Sequence, residues 1–172
     1  PVRLTGILYD SVSPVVTLNS PLQSRHVRVL DIDYTLSEAM ASATATWTRT
    51  AGSADSQSPR VIKLSVPEMA QGNRSGLLSD QMPLIDGSVY TLTLSGSDAA
   101  GNEAVLVSSS DIKYDTSPPQ FSNISPSEGY TNGRTLSYTL SETMAEGSIV
   151  FASAGGILDS SAPHTVSLSG NE

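Results

Sequence analysis

The heptapeptide YTLSEAM, Tyr34 to Met40, returns near the other end of the chain as YTLSETM, Tyr138 to Met144. The offset between the copies is 138 − 34 = 104 residues, and it persists downstream. Trp47 falls on Phe151, Gly52 on Gly156, Asp55 on Asp159, Pro59 on Pro163 and Leu64 on Leu168. Upstream, YDSVSP (Tyr9 to Pro14) meets YDTSPP (Tyr114 to Pro119) at an offset of 114 − 9 = 105, so one residue is lost between the two blocks. Collinear matches of this kind mark an internal repeat of about a hundred residues, an ordinary domain size. The spacing predicts one complete copy over residues 9–113 and the first part of another over 114–172. PVRLTGIL, residues 1–8, aligns with LVSSSDIK and reads as the last strand of a preceding copy. The chain is expected to be a window on a longer array.

Within each copy the apolar residues recur with period two. Leu30, Ile32, Tyr34 and Leu36 alternate with polar neighbours, as do Ala43, Ala45 and Trp47, then Ile62, Leu64 and Val66, then Tyr90, Leu92 and Leu94. That is the signature of half-buried antiparallel strands. A last strand is expected from Ala104 to Ile112. The second copy repeats the first faces with Leu136, Tyr138 and Leu140, with Gly147, Ile149 and Phe151, and with Val166 and Leu168. No window shows a helical period with caps, and Gly and Pro punctuate throughout. Many short strands with regular turn signals predict an all-β sandwich or barrel. Two details favour an immunoglobulin-like sandwich: Trp47 on the third predicted strand, and DGSVYTL, whose Tyr90 would hydrogen-bond backward from the start of the next-to-last strand. Tyr34, Trp47, Tyr90, Tyr138 and Phe151 are the expected core aromatics.

Three motifs carry a resemblance to a known family: the YD-x-x-x-P boundary, the LSE-x-M strand end at Leu36–Met40 and Leu140–Met144, and SDAAGNEA, Ser97 to Ala104. In their order and spacing the chain resembles the tandem bacterial immunoglobulin-like repeats of large surface and adhesin-type proteins. The resemblance implies immunoglobulin-like antiparallel β-sandwich modules in tandem, outside the cell, that extend, space and sometimes bind, with neighbouring repeats of the same polypeptide as first partners. It does not imply an enzyme. The segment between Pro67 and Pro83 is longer and more irregular than in the family's shortest members.

Composition narrows the function. Cysteine is absent, which excludes disulfides, thiolate catalysis and Cys-ligated zinc. A Cys-free, Ser/Thr-rich, acidic chain fits a bacterial exterior protein. The net charge of −8, with nine basic residues and no basic cluster, argues against nucleic acid. No apolar run reaches the ~20 residues of a membrane span. His26 and His164 are isolated and hold non-equivalent places in the repeat, and no HExxH, GxSxG or phosphate loop occurs. No catalytic residue is assigned.

Two binding chemistries remain. Asp10 and Asp115 lie at the repeat boundaries, Asp98 and Asn102 in the DAAGN turn, and Glu38 at a strand end. Oxygen ligands drawn from several loops suit Ca²⁺. The competing reading is that Asp and Asn hydrogen-bond their own turns while Gly101 supplies the special dihedral. A carbohydrate- or other ligand-binding module is the second functional class, and an accessory module of an exported polysaccharide-degrading enzyme is a third. Its stacking candidates are Trp47, Tyr130, Tyr9 and Phe121, against which stands the inward phase of Trp47. Asn73 and Asn123 head N-x-S sequences, which carry no meaning in a bacterial chain. An incomplete repeat over 114–172 would expose apolar faces and strand edges. Completion by another chain is therefore expected, either by donation of residues 1–8 or by packing of two partial copies.

Overall fold

The computed structural model describes residue 3 and residues 5–77, 83–127, 135–157 and 159–169. Its regular structure is strand, apart from one short 3₁₀ turn. The chain divides into two compact units, Pro1–Thr116 and Ser117–Glu172.

Among its described residues the first unit has eight strands in two sheets. Strands β1 (Val16–Ser20), β3 (Asp31–Leu36) and β6 (Gly72–Leu77) form the smaller sheet, in the order β1-β3-β6. The larger runs β2-β8-β7-β4-β5, from β2 (His26–Val27), β8 (Val107–Tyr114), β7 (Ser88–Ser97), β4 (Ser42–Gly52) and β5 (Arg60–Lys63). Every pairing is antiparallel except β2 with β8, which is parallel. The period-two faces read from the sequence meet in one core. Ile32, Tyr34 and Leu36 come from one sheet, and Ala45, Trp47, Ile62, Tyr90, Leu92 and Ile112 from the other. Trp47 and Tyr90 are fully buried and meet edge to face, with centroids 6.3 Å apart. Burial of each such large side chain is worth about 1.5–3 kcal/mol.

Several segments differ from expectation. The last strand starts at Val107 rather than Ala104, because residues 98–103 are closed into a loop by Ala104 N–H on the Gly96 carbonyl. Tyr114 ends β8 instead of opening a linker: its carbonyl accepts from Gly87 N–H and Asp115 N–H donates to the Val27 carbonyl, both at 2.9 Å. The irregular stretch after Pro67 contains a 3₁₀ turn, Pro67–Met69, and β6. That strand has no apolar alternation; its ladder to β3 holds it. The described residues among 1–8 form no strand, and Ile7 and Leu8 are exposed. A strand is defined by its neighbour, and among the described residues this segment pairs with none. Gly6 nevertheless takes the left-handed φ of +82° that its repeat counterpart Asp111 takes within β8, at +58°.

The second unit has four strands among its described residues: β9 (Phe121–Ser125) paired with β10 (Ser137–Leu140), and β11 (Glu146–Phe151) paired with β12 (His164–Ser169). Their registers follow the first unit. Val16↔Leu36 becomes Phe121↔Leu140, and Trp47↔Arg60 becomes Phe151↔His164. Tyr138 is half-buried against Phe121, with centroids 5.3 Å apart. Phe151, expected in a core, is half exposed: Trp47 is flanked by β7 and covered by its Tyr90, whereas among the described residues β11 pairs with β12 alone.

Candidate functional site

One pole of the first unit gathers carboxylates from three distant parts of the chain. An oxygen from each of Asp10, Glu38 and Asp98 lies within 4.8 Å of the others. Asp10 precedes β1, Glu38 follows β3 and Asp98 follows β7, so the sandwich itself brings their strand ends together.

The Asp98 turn is built locally. Asp98 Oδ1 accepts the N–H groups of Ala100 and Asn102, both at 2.8 Å, and Oδ2 accepts the Asn102 side-chain amide at 2.8 Å. Gly101 supplies a φ of +90° in open space, the reason a glycine stands there. These hydrogen bonds, that of the Asn102 amide foremost, lower the Asp98 pKa against the opposing effect of desolvation. The same Asn102 amide reaches the Asp10 carbonyl at 3.3 Å, which ties the entering chain to the turn. Asp10 Oδ1 in turn caps Val12 N–H at 3.0 Å.

The turn reading of Asp98 and Asn102 and the cluster reading are therefore both present in the geometry. Asp98 has about four acceptor sites and three are used, leaving one for a cation. Asp10 retains its second oxygen. With Glu38 added, the protein offers fewer than the six to eight oxygens of a saturated Ca²⁺ shell, and water would complete it.

Asp115, the fifth ligand candidate, is not part of this cluster. Strand β8 runs antiparallel to β7, with Val89 opposite Lys113, so it carries Asp115 to the other pole. There its carboxylate takes the Lys113 ammonium at 2.7 Å.

That opposite pole holds a buried network which sequence reasoning missed. The Arg60 guanidinium forks onto Asp55, with Nε to Oδ2 at 2.7 Å and the second nitrogen to Oδ1 at 2.8 Å. Both side chains are almost wholly buried. Tyr90 donates its hydroxyl to Asp55 Oδ2 at 2.8 Å and accepts from Ile85 N–H at 3.1 Å, the backward bond sought from the DGSVYTL motif. The Arg60 bonds outweigh desolvation and lower the Asp55 pKa to about 2. Burial raises that of Tyr90. A signal was present in the sequence: Asp55 and Asp159 share the repeat offset, and so do their partners, Arg60 and His164. Asp159 meets His164 at 2.6 Å on the surface of the second unit.

The sugar-stacking candidates divide sharply. Trp47 is 0% exposed and presents no face. Tyr9 is 87% exposed, and Phe121 is 40% exposed against Tyr138. Tyr130 lies outside the described residues. No helix of the described residues is long and apolar enough to cross a membrane. Comparison of the chain with protein-family models, curated proteins and solved structures finds no match.

Proposed function

We propose that the chain is a stretch of tandem immunoglobulin-like modules serving as a structural spacer in a bacterial surface or adhesin-type protein, without catalysis. The observation that carries this reading is the placement of entry and exit. The chain enters the first unit at Asp10, beside the end of β7, and leaves after Asp115, beside its start. The ten residues of β7 separate the two poles by about 30 Å. A module threaded from pole to pole adds length, which is what a spacer must do. The strand order, the buried Trp47 and the Tyr90 hydroxyl on Ile85 N–H support the immunoglobulin-like form. Matching registers in the two units support the tandem arrangement.

The second part of the proposal is a Ca²⁺ ion at the entry pole, held by Asp10, Glu38 and Asp98 with Asn102 as orienting amide. Three carboxylates in mutual reach repel one another, and a divalent cation relieves that repulsion. A thermal melt followed by Trp47 fluorescence tests it. At ten times the dissociation constant a bound ion adds about 1.4 kcal/mol, a rise of about 5 °C. The rise should disappear in Glu38→Gln, a change that leaves the Asp98 turn intact. An equal response to Mg²⁺, or none to Ca²⁺, removes the ion from the proposal. A glycan array separates the spacer from a carbohydrate-binding module: the spacer predicts no saturable binding.

A further inference from the structure

We propose that the free edge of β2 is a docking site for an acidic, extended polypeptide segment, which adds to the larger sheet as a further strand and sets its carboxylates on Arg25 and Arg28.

Strand β2 ends the order of the larger sheet, so one edge faces β8 and the other has no strand beside it among the described residues. The pairing with β8 shows which groups are left over. Arg25 and Val27 turn their carbonyls to β8, where they accept the N–H groups of Lys113 and Asp115, both at 2.9 Å. Successive residues of a strand direct their N–H and C=O to opposite sides, so His26 presents its pair at the free edge. The stretch is anchored on both sides. Before it, Ser24 N–H donates to the Ser110 carbonyl at 3.0 Å, and after it Leu30 is buried in the core. The edge is thus held extended before anything binds, which lowers the cost of adding a strand.

Charge selects the partner. Val27 packs against the core, and Arg25, His26 and Arg28 stand exposed around it. Arg49 and Arg74 donate to backbone carbonyls and Arg60 to Asp55, so those guanidiniums are engaged. Arg25 and Arg28 have neither a hydrogen bond nor an ion pair through their side chains among the described residues. The carboxylates of the neighbouring strand end are occupied. Asp115 holds the Lys113 ammonium at 2.7 Å, and Asp111 accepts the Ser110 hydroxyl at 3.1 Å and the Gln23 amide at 3.5 Å. Charged side chains beside a free edge keep unrelated strands off it. An acidic strand is the one that these charges admit, and each guanidinium offers a carboxylate a forked pair of donors. An acidic polysaccharide would meet the same arginines but would bring no peptide groups in register with His26. Val29, 51% exposed, adds apolar surface for a side chain of the partner.

The inference stands apart from the spacer reading, since a spacer needs no such edge. The test uses the full chain and a labelled peptide of alternating Glu and Thr, read by fluorescence anisotropy and by hydrogen exchange. The expected result is saturable binding that weakens with added salt, with the His26 amide slowed several-fold. Arg25→Glu combined with Arg28→Glu, two exposed changes that should leave the Trp47 melt in place, should weaken binding about tenfold or more. The same variant should take up a peptide of alternating Lys and Thr instead. The Glu-Thr peptide methylated at every amide nitrogen should bind about tenfold more weakly or worse, because it cannot form a strand ladder. Absence of saturable binding, or binding indifferent to the two arginine changes, overturns the proposal. Equal binding of the methylated peptide, or binding of heparin in its place with the His26 amide unslowed, overturns it as well, since charge alone would then be recognised. So does self-association of the chain through the same arginines in sedimentation, because a second copy would be the occupant.

Discussion

Replacing Arg60 by Met keeps most of the buried side-chain volume and removes the guanidinium that Asp55 is folded around. The Asp55 carboxylate keeps Gln57 N–H at 3.0 Å and the Tyr90 hydroxyl at 2.8 Å, but loses its only ion-pair partner among the described residues. Breaking a buried pair by removing one member costs about 3–5 kcal/mol, because the other charge stays desolvated. With two hydrogen bonds left, the lower end, about 3 kcal/mol, is expected at pH 7. The pH dependence supplies a second handle. Asp55 has its pKa lowered in the fold from 3.8 to about 2. Its contribution is complete above the unfolded value and disappears as pH falls through the folded one. Just under two pH units, at ~1.4 kcal/mol each, make about 2 kcal/mol at neutral pH, and about half of that is gone by pH 3. Without Arg60 the native carboxyl no longer resists protonation, so the variant escapes much of this acid loss. The gap between wild type and Arg60→Met should therefore narrow from pH 7 to pH 3. Adding Asp55→Asn, which removes the second charge, should recover about half of the loss at pH 7. Urea unfolding followed by Trp47, the chain's one tryptophan, reports on the first unit alone. A variant within about 0.5 kcal/mol of wild type at pH 7, or a gap that does not narrow in acid, refutes the account of this network.

Two further outcomes are expected. Gly52→Ala should cost about 2–4 kcal/mol, because φ is +76° and a Cβ would stand 2.2 Å from the Gly87 carbonyl oxygen. Gly101→Ala, at a φ of +90° but with nothing within 4 Å, should cost only about 1 kcal/mol; equal losses in urea melts would contradict the contact argument. Tyr34 is buried and donates to the Glu68 carbonyl at 2.8 Å, and burial pushes its pKa up to about 12. The stability it contributes is complete below pH 10 and is lost as pH rises toward 12. Tyr34→Phe should remove that alkaline loss, as monitored by the Trp47 signal.

How much of this was legible in the sequence depended on what each strand buries. Strands β3, β4, β5 and β7 pack one face on a core, so Ile32/Tyr34, Ala45/Trp47 and Leu92/Leu94 announce themselves by alternation. Strand β6, Gly72–Leu77, has no such face and is specified by its partner β3, which a single-strand pattern cannot express. Phe151 shows the converse failure. Its phase reads as core, but burial also needs flanking strands, as β7 flanks Trp47, and period two says nothing about what pairs with a strand's edge. At the acidic pole, Asp10, Glu38 and Asp98 were readable as strand-end carboxylates. Asp115 looked equivalent through the repeat, and only the antiparallel course of β8 shows that it sits at the other end. The Asp55–Arg60 pair was hidden because ion-pair partners five residues apart across a turn have no fixed motif, and the second unit writes the pair as Asp–His.

The spacer reading is tested most directly by pulling on the first unit between residues 10 and 116. Force applied from pole to pole loads the parallel β2–β8 contact in shear, including Lys113 N–H on the Arg25 carbonyl and Asp115 N–H on the Val27 carbonyl, each at 2.9 Å. The account predicts one cooperative unfolding step that releases about 35 nm of chain, from ~3.6 Å per residue less the folded span. Gradual lengthening in small steps at low force would contradict it, because a unit that yields in that way cannot hold a neighbour at a fixed distance.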